Sequence, residues 1–212
     1  MMDRHISELA ARYPILESNA EAIAKVYEIM VHCYKNGGKL LVAGNGGSAA
    51  DADHIVGELM KGFKRPRTIS EKLNSELCKL DKDMGRELSQ MLQGALPAIA
   101  LHNHSILNTA VLNDVDGNMC FAQQVMGYGT PSDVFMGIST SGNSQNILYA
   151  AITAKAKGLK VIGLTGAGGG RLKAYADEVI AVESDVTHIV QELHTPIYHC
   201  LCMMVEDYFW KE

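Results

Sequence analysis

The chain has 212 residues, 47% hydrophobic and 20% charged, a composition that suits one globular domain with a sizeable core. Its 24 acids outnumber its 19 bases for a net charge of −5, and the one basic stretch (Lys61, Lys64, Arg65, Arg67) is short, which argues against nucleic acid as a partner. No run reaches the roughly 20 apolar residues of a membrane helix, and the N-terminal MMDRHISELAARYPIL lacks the apolar core of a signal peptide. The five cysteines (33, 78, 120, 200, 202) form no CxxC pair, so reduced thiols in a cytoplasmic protein are expected.

Residues 1–37 read as helical. Ala20, Ile23, Ala24, Tyr27, Met30, Val31 and Tyr34 recur at helical spacing and stop at Asn36-Gly37-Gly38, a glycine stop signal. KLLVAG (39–44) is an apolar run suited to a strand buried on both faces. It leads through Gly44-Asn45-Gly46-Gly47-Ser48 into a helix ending near Met60. Residues 64–96 carry Leu73, Leu77, Leu80, Met84, Leu88, Met91 and Leu92 at helical spacing among charges. They predict an amphipathic helical insert whose apolar stripe packs on the domain or on a partner subunit.

PAIAL (97–101) is the next strand candidate. DVFMGI (133–138) runs into Ser139-Thr140-Ser141-Gly142-Asn143-Ser144 and a helix, ILYAAITAKAKG. KVIGLTG (160–166) runs into a glycine turn and a short helix, RLKAYA; EVIAV (178–182) is the fifth strand, and a helix fills about 186–210. Repeated strand, polar turn and helix predict an α/β fold: a doubly wound five-stranded parallel sheet, a flavodoxin-like three-layer sandwich in a single domain, 1–212.

Ligands of such sheets bind beyond the carboxyl ends of the strands. GNGGS offers unobstructed backbone N–H groups there, and a tight structural turn is an equal reading of it. STSGNS offers hydroxyls at a helix N-terminus, where unpaired N–H donors and the dipole suit a phosphate. Neither loop contains the lysine of a nucleotide P-loop, and no dinucleotide fingerprint is present, so no nucleotide cofactor is expected. His54 and Glu58 share a helix face at i, i+4. His188, Gln191, Thr195 and His199 form one stripe of the last helix, while Leu193, Ile197, Leu201, Met204 and Tyr208 form its core side. His54, Glu58, Gln191 and His199 could bind zinc, or transfer protons without metal. Pro196 deprives the carbonyl of Glu192 of its usual helical partner.

GNGGSAADADHIVGEL, GISTSGNS, GLKVIGLTG and VQELH resemble the sugar isomerase (SIS) fold, and within it the bacterial phosphoheptose isomerases, over about residues 18–210 with 64–96 outside the match. The resemblance implies interconversion of sedoheptulose 7-phosphate and D-glycero-D-manno-heptose 7-phosphate. It implies that Asn45, Gly46 and Gly47 contact substrate, that Ser139, Thr140, Ser141 and Ser144 hold its phosphate, and that Asn113 and Asp114 reach its hydroxyls. It further implies zinc on His54, Glu58, Gln191 and His199, with Glu58 and His199 as acid–base pair, Gln191 touching substrate as well, and a homotetramer with sites between subunits.

The chain departs from the family at Lys61-Gly62-Phe63, where an arginine is missing and Lys64 or Arg65 would supply its charge, at His188, which stands for an acid, and in the longer 64–96 segment. The alternative is a non-catalytic SIS protein that binds a phosphosugar or a macromolecular partner, as a relative that activates the bacterial replication initiator does, or an isomerase of another sugar phosphate. Acid–base groups on two separate helices argue for the enzyme.

Overall fold

The structure is a computed structural model that describes residues 3–211; residues 1, 2 and 212 of the expected domain lie outside the described residues. Helix α1 (Arg4–Arg12) starts at Asp3, whose carboxylate accepts from the His5 N–H at 2.8 Å, and α2 is Ala20–Lys35. The strands are β1 (Leu40–Ala43), β2 (Ala98–Ala100), β3 (Val134–Ser139), β4 (Lys160–Thr165) and β5 (Glu178–Ala181). All pair in parallel in the order β2-β1-β3-β4-β5, so the expected doubly wound sheet is present.

The strand residues alternate between two cores, as the two-residue period of a strand requires. Leu40, Val42, Val134, Met136, Ile138, Ile162 and Leu164 face α1, α2, α3 (Gly47–Met60) and α9 (Thr187–Phe209). Leu41, Phe135 and Val161 face α7 (Cys120–Tyr128) and α8 (Gln145–Ala156). The helix after β1 therefore lies on one face of the sheet and the helix after β3 on the other. Their N-termini flank the crevice at the topological switch point.

The helical part of the 64–96 segment is two helices, α4 (Glu71–Leu80) and α5 (Lys82–Met91). Asp81 makes the break: its N–H caps α4 at the Leu77 carbonyl, and its carboxylate accepts from the N–H groups of Asp83 and Met84 to open α5. The apolar stripe expected to be covered is open in the single chain, with Leu80 86%, Met84 62% and Met91 72% exposed.

RLKAYA forms only a 3-10 turn, Gly170–Ala174, with the Leu172 N–H bonded to the Gly142 carbonyl and the Arg171 N–H to Asn143 Oδ1. Tyr208, expected on the core side of α9, is 43% exposed; near the helix end it stacks edge-on with Phe209. Helix α6 (Ser105–Asp114) and α7 carry no clear apolar stripe and were not expected. No helix among the described residues is long and apolar enough to cross a membrane.

Candidate active site

Asn45, Gly46 and Gly47 sit in the β1–α3 turn, all exposed. Asn45 exchanges two side-chain hydrogen bonds with Asn146 in the first turn of α8 (3.0 and 2.8 Å), which ties the glycine turn to the start of α8 across the switch point. Gly47 lies close under α9: a Cβ there would stand 2.6 Å from Gln191 Nε2. The turn and α9 thus meet at Gln191.

The loop between β3 and α8 sets Thr140 and Ser141 against a cleft of about 480 Å³ that Asp185 also lines, and Ser144 is the residue that caps the α8 N-terminus. Ser139 is buried, its hydroxyl 3.1 Å from that of Ser144, so it orients Ser144. Ser141 Oγ accepts from the Asn143 N–H. Gly142 adopts φ +65°, and a Cβ would lie 2.2 Å from the Gly169 carbonyl oxygen, so only glycine closes this loop against the one after β4.

Helices α3 and α9 bring the ionisable groups together. His54 Nε2 lies 3.4 Å from Glu58 Oε1 and 3.3 Å from His199 Nε2. Burial, reinforced by the adjacent His54, pushes the His199 pKa below its ordinary value, which keeps the imidazole neutral near pH 7. A second cavity of about 480 Å³, between α1 and α9, reaches His199 past Thr195 and Arg12. Lys61 Nζ sits 3.0 Å from Glu58 Oε2. It is this lysine that brings positive charge to the site, whereas Arg65 is turned to Asp207. His188 is exposed at the start of α9. Asn113 and Asp114 stand apart: they are exposed at the end of α6 and bond to each other at 2.8 Å, with no bond to the His54 group among the described residues.

The SIS domain family matches residues 6–79 and 84–166. A probable phosphoheptose isomerase from Thermoplasma acidophilum is 37% identical over 194 residues, 92% of both chains. The phosphoheptose isomerase of Thermodesulfovibrio yellowstonii is 38% identical over 91% of this chain and 83% of its own. The solved phosphoheptose isomerase of Francisella tularensis superposes with TM-score 0.73 at 34% identity, covering 95% of this chain and 93% of that one. The chain belongs to the phosphoheptose isomerase family of SIS-domain proteins.

As a member of that family it is a sugar phosphate isomerase. The 64–96 segment, expected outside the resemblance, falls largely within the SIS match, which breaks only at residues 80–83, the turn between α4 and α5.

Two imidazoles, a carboxylate and an amide are a donor set that fits zinc in kind, and 3.3–3.4 Å is the spacing of two ligands on a tetrahedral zinc at about 2.0–2.1 Å. Among the described residues no three His, Cys, Asp or Glu side chains stand as a group that could hold a metal ion as placed, so the fit of His54, Glu58 and His199 to zinc is one of donor type and pairwise spacing.

Three site features carry no role in the sequence analysis. Asn146 bridges the two loops; Asp51 lies one turn before His54 on α3; and Tyr198, 2% exposed, places its hydroxyl 3.0 Å from His54 Nδ1 and 3.2 Å from Asp51 Oδ1. Burial raises the Asp51 carboxyl and pushes the Tyr198 phenol up to about 12. An asparagine two places past the serine loop and an acid at i−3 from the histidine were the signals available.

Proposed function

We propose that the enzyme converts sedoheptulose 7-phosphate to D-glycero-D-manno-heptose 7-phosphate through a cis-enediol. The observation that carries this is the meeting of Glu58 and His199, from two different helices, on either side of His54 beside the glycine turn. A phosphate at the α8 N-terminus receives hydroxyls from Thr140, Ser141 and Ser144, with Ser139 behind them. The sugar then extends along Asn45, Gly46 and Gly47 toward Gln191.

At the carbonyl end, one base removes the proton from the neighbouring carbon while an acid serves the oxygen, and the reverse exchange on the adjacent carbon completes the isomerisation. Glu58 and His199 divide these transfers; a neutral imidazole can both take and give a proton near pH 7. His54, Glu58, Gln191 and His199 are also the residues that would hold zinc, which supplies Lewis-acid polarisation of the carbonyl when bound. The open apolar stripe of α4 and α5 and the exposed Asn113-Asp114 pair support a homotetramer with shared sites. The test is NMR of the purified protein with sedoheptulose 7-phosphate. Appearance of the aldose 7-phosphate supports the reading; no conversion of any heptose phosphate overturns it.

A further inference from the structure

We propose that Tyr198 is a positioning residue of this site, whose buried hydroxyl, held by Asp51, fixes His54 as its Nδ1–H tautomer and turns an unprotonated Nε2 toward Glu58 and His199. The hydroxyl lies 3.2 Å from Asp51 Oδ1, 3.0 Å from His54 Nδ1 and 3.4 Å from Thr195 Oγ1. A phenol has one proton to give and two lone pairs. An ionised carboxylate only accepts, and a charge-assisted bond outcompetes one to the neutral threonine hydroxyl, so the proton goes to Asp51. The phenol oxygen can then only accept from His54, which requires a proton on Nδ1.

The consequence falls on the other ring nitrogen. His54 Nε2 is the common neighbour of Glu58 Oε1 at 3.4 Å and His199 Nε2 at 3.3 Å. With Nδ1 protonated it presents a lone pair, able to accept from His199 or to ligate a cation. The opposite tautomer would place an N–H against the Glu58 carboxylate, which can only accept, so the Asp51–Tyr198 pair holds the ring against the pull of that contact. His54 is 44% exposed, so its ring orientation is not set by packing; the buried tyrosine supplies the anchor, with the rings 5.3 Å apart and edge-on. Neither Asp51 nor Tyr198 belongs to the residues that the family resemblance implies.

The inference rests on the reading of Glu58 and His199 as the acid–base pair, and the test separates the two. Imidazole nitrogen shifts in long-range ¹H–¹⁵N spectra report the tautomer of His54 whatever the turnover. Wild type is expected to show Nδ1–H. Tyr198→Phe should release it to a mixed population and lower turnover of sedoheptulose 7-phosphate roughly 10–100-fold, as loss of an orienting partner does, with KM changed much less. Asp51→Asn keeps the phenol but can donate to it, so it should drive His54 toward Nε2–H. Tyr34→Phe, which removes a buried hydroxyl without a partner on α2, is the control and should alter neither readout.

An Nε2–H form in the wild type, an unchanged His54 spectrum in Tyr198→Phe, or turnover within twofold of wild type in that variant overturns the proposal. Wild-type inactivity on heptose phosphates strikes the substrate reading instead, and the spectra still decide the tautomer.

Discussion

Arg67 and Glu206 form an ion pair sealed inside the protein, with Nε 2.8 Å from Oε1 and both side chains no more than 1% exposed. The arginine also donates to the carbonyls of Glu58 and Leu59, the unpaired end of α3, and lies 4.7 Å over the Trp210 ring. Glu206 accepts in addition from the N–H groups of Phe63, Lys64 and Arg65. The pair therefore clamps the turn that follows Glu58 and holds the end of the helix that carries it. Burial works against the charged carboxylate, but the N–H donors and Arg67 more than offset it and hold Glu206 below its ordinary range.

Breaking this pair from one side leaves a buried charge. Arg67→Met or Glu206→Gln should each lower the unfolding free energy by about 3–5 kcal/mol, read from urea denaturation. A loss below 1 kcal/mol would mean that water or relaxation replaces the missing partner.

His194 gives a second, pH-dependent prediction. It is fully buried on α9 with Nε2 3.2 Å from the Thr165 carbonyl, and burial drives its pKa down to about 4. Folded His194 therefore stays neutral where the unfolded chain, at about 6.5, already takes a proton. Its contribution is intact above pH 6.5 and falls as pH drops toward 4, by about 3 kcal/mol in all. Denaturation measured between pH 7 and 5, before most carboxylates titrate, should show this slope in wild type and a shallower one in His194→Leu. Equal slopes would contradict it.

The fold was legible because the strands are short, apolar and end in glycine or serine turns; all five lie within a residue or so of the expected runs. Of the residues that the motifs single out, the chain brings His54, Glu58 and His199 together and sets Gln191 against the glycine turn. The site was illegible where function depends on burial. Arg67 reads in the sequence as one cation of a basic stretch, yet its side chain is fully buried against a partner 139 residues further on. Tyr198 reads as a residue beside the core stripe of α9, and only the crossing of α3 and α9 reveals that its hydroxyl meets His54. Asn113 and Asp114 bond only to each other among the side-chain contacts of the described residues, so their expected role depends on assembly.

That assembly is open to a direct check. Leu80, Met84 and Met91 stay exposed in the single chain, and a homotetramer would cover such a surface. Light scattering at micromolar concentration should give four times the chain mass; a monomer would contradict the proposal.

At Gly47 the site can be moved without unfolding the protein. Gly47→Ala would put a Cβ 2.6 Å from Gln191 Nε2, the free end of a flexible side chain that can swing away. Thermal stability should change little, while turnover falls by roughly 10–100-fold because Gln191 is displaced from the carbonyl end. Equal activity would remove Gln191 from the site.

The phosphate assignment turns on the α8 N-terminus. Ser141→Ala should weaken binding of any phosphosugar by about 1.5–3 kcal/mol, near 10–100-fold, and leave folding intact. Unaltered affinity in calorimetry would place the phosphate elsewhere.

The central claim is that Glu58 and His199 act as one acid–base unit, and a double-mutant cycle on turnover of sedoheptulose 7-phosphate tests it most directly. Glu58→Gln and His199→Asn keep volume and polarity but remove proton transfer. Each should cost at least about 10²-fold in turnover, and the double variant should be little worse than the worse single one. Near-normal turnover in either single variant, or losses that multiply in the double one, would contradict it.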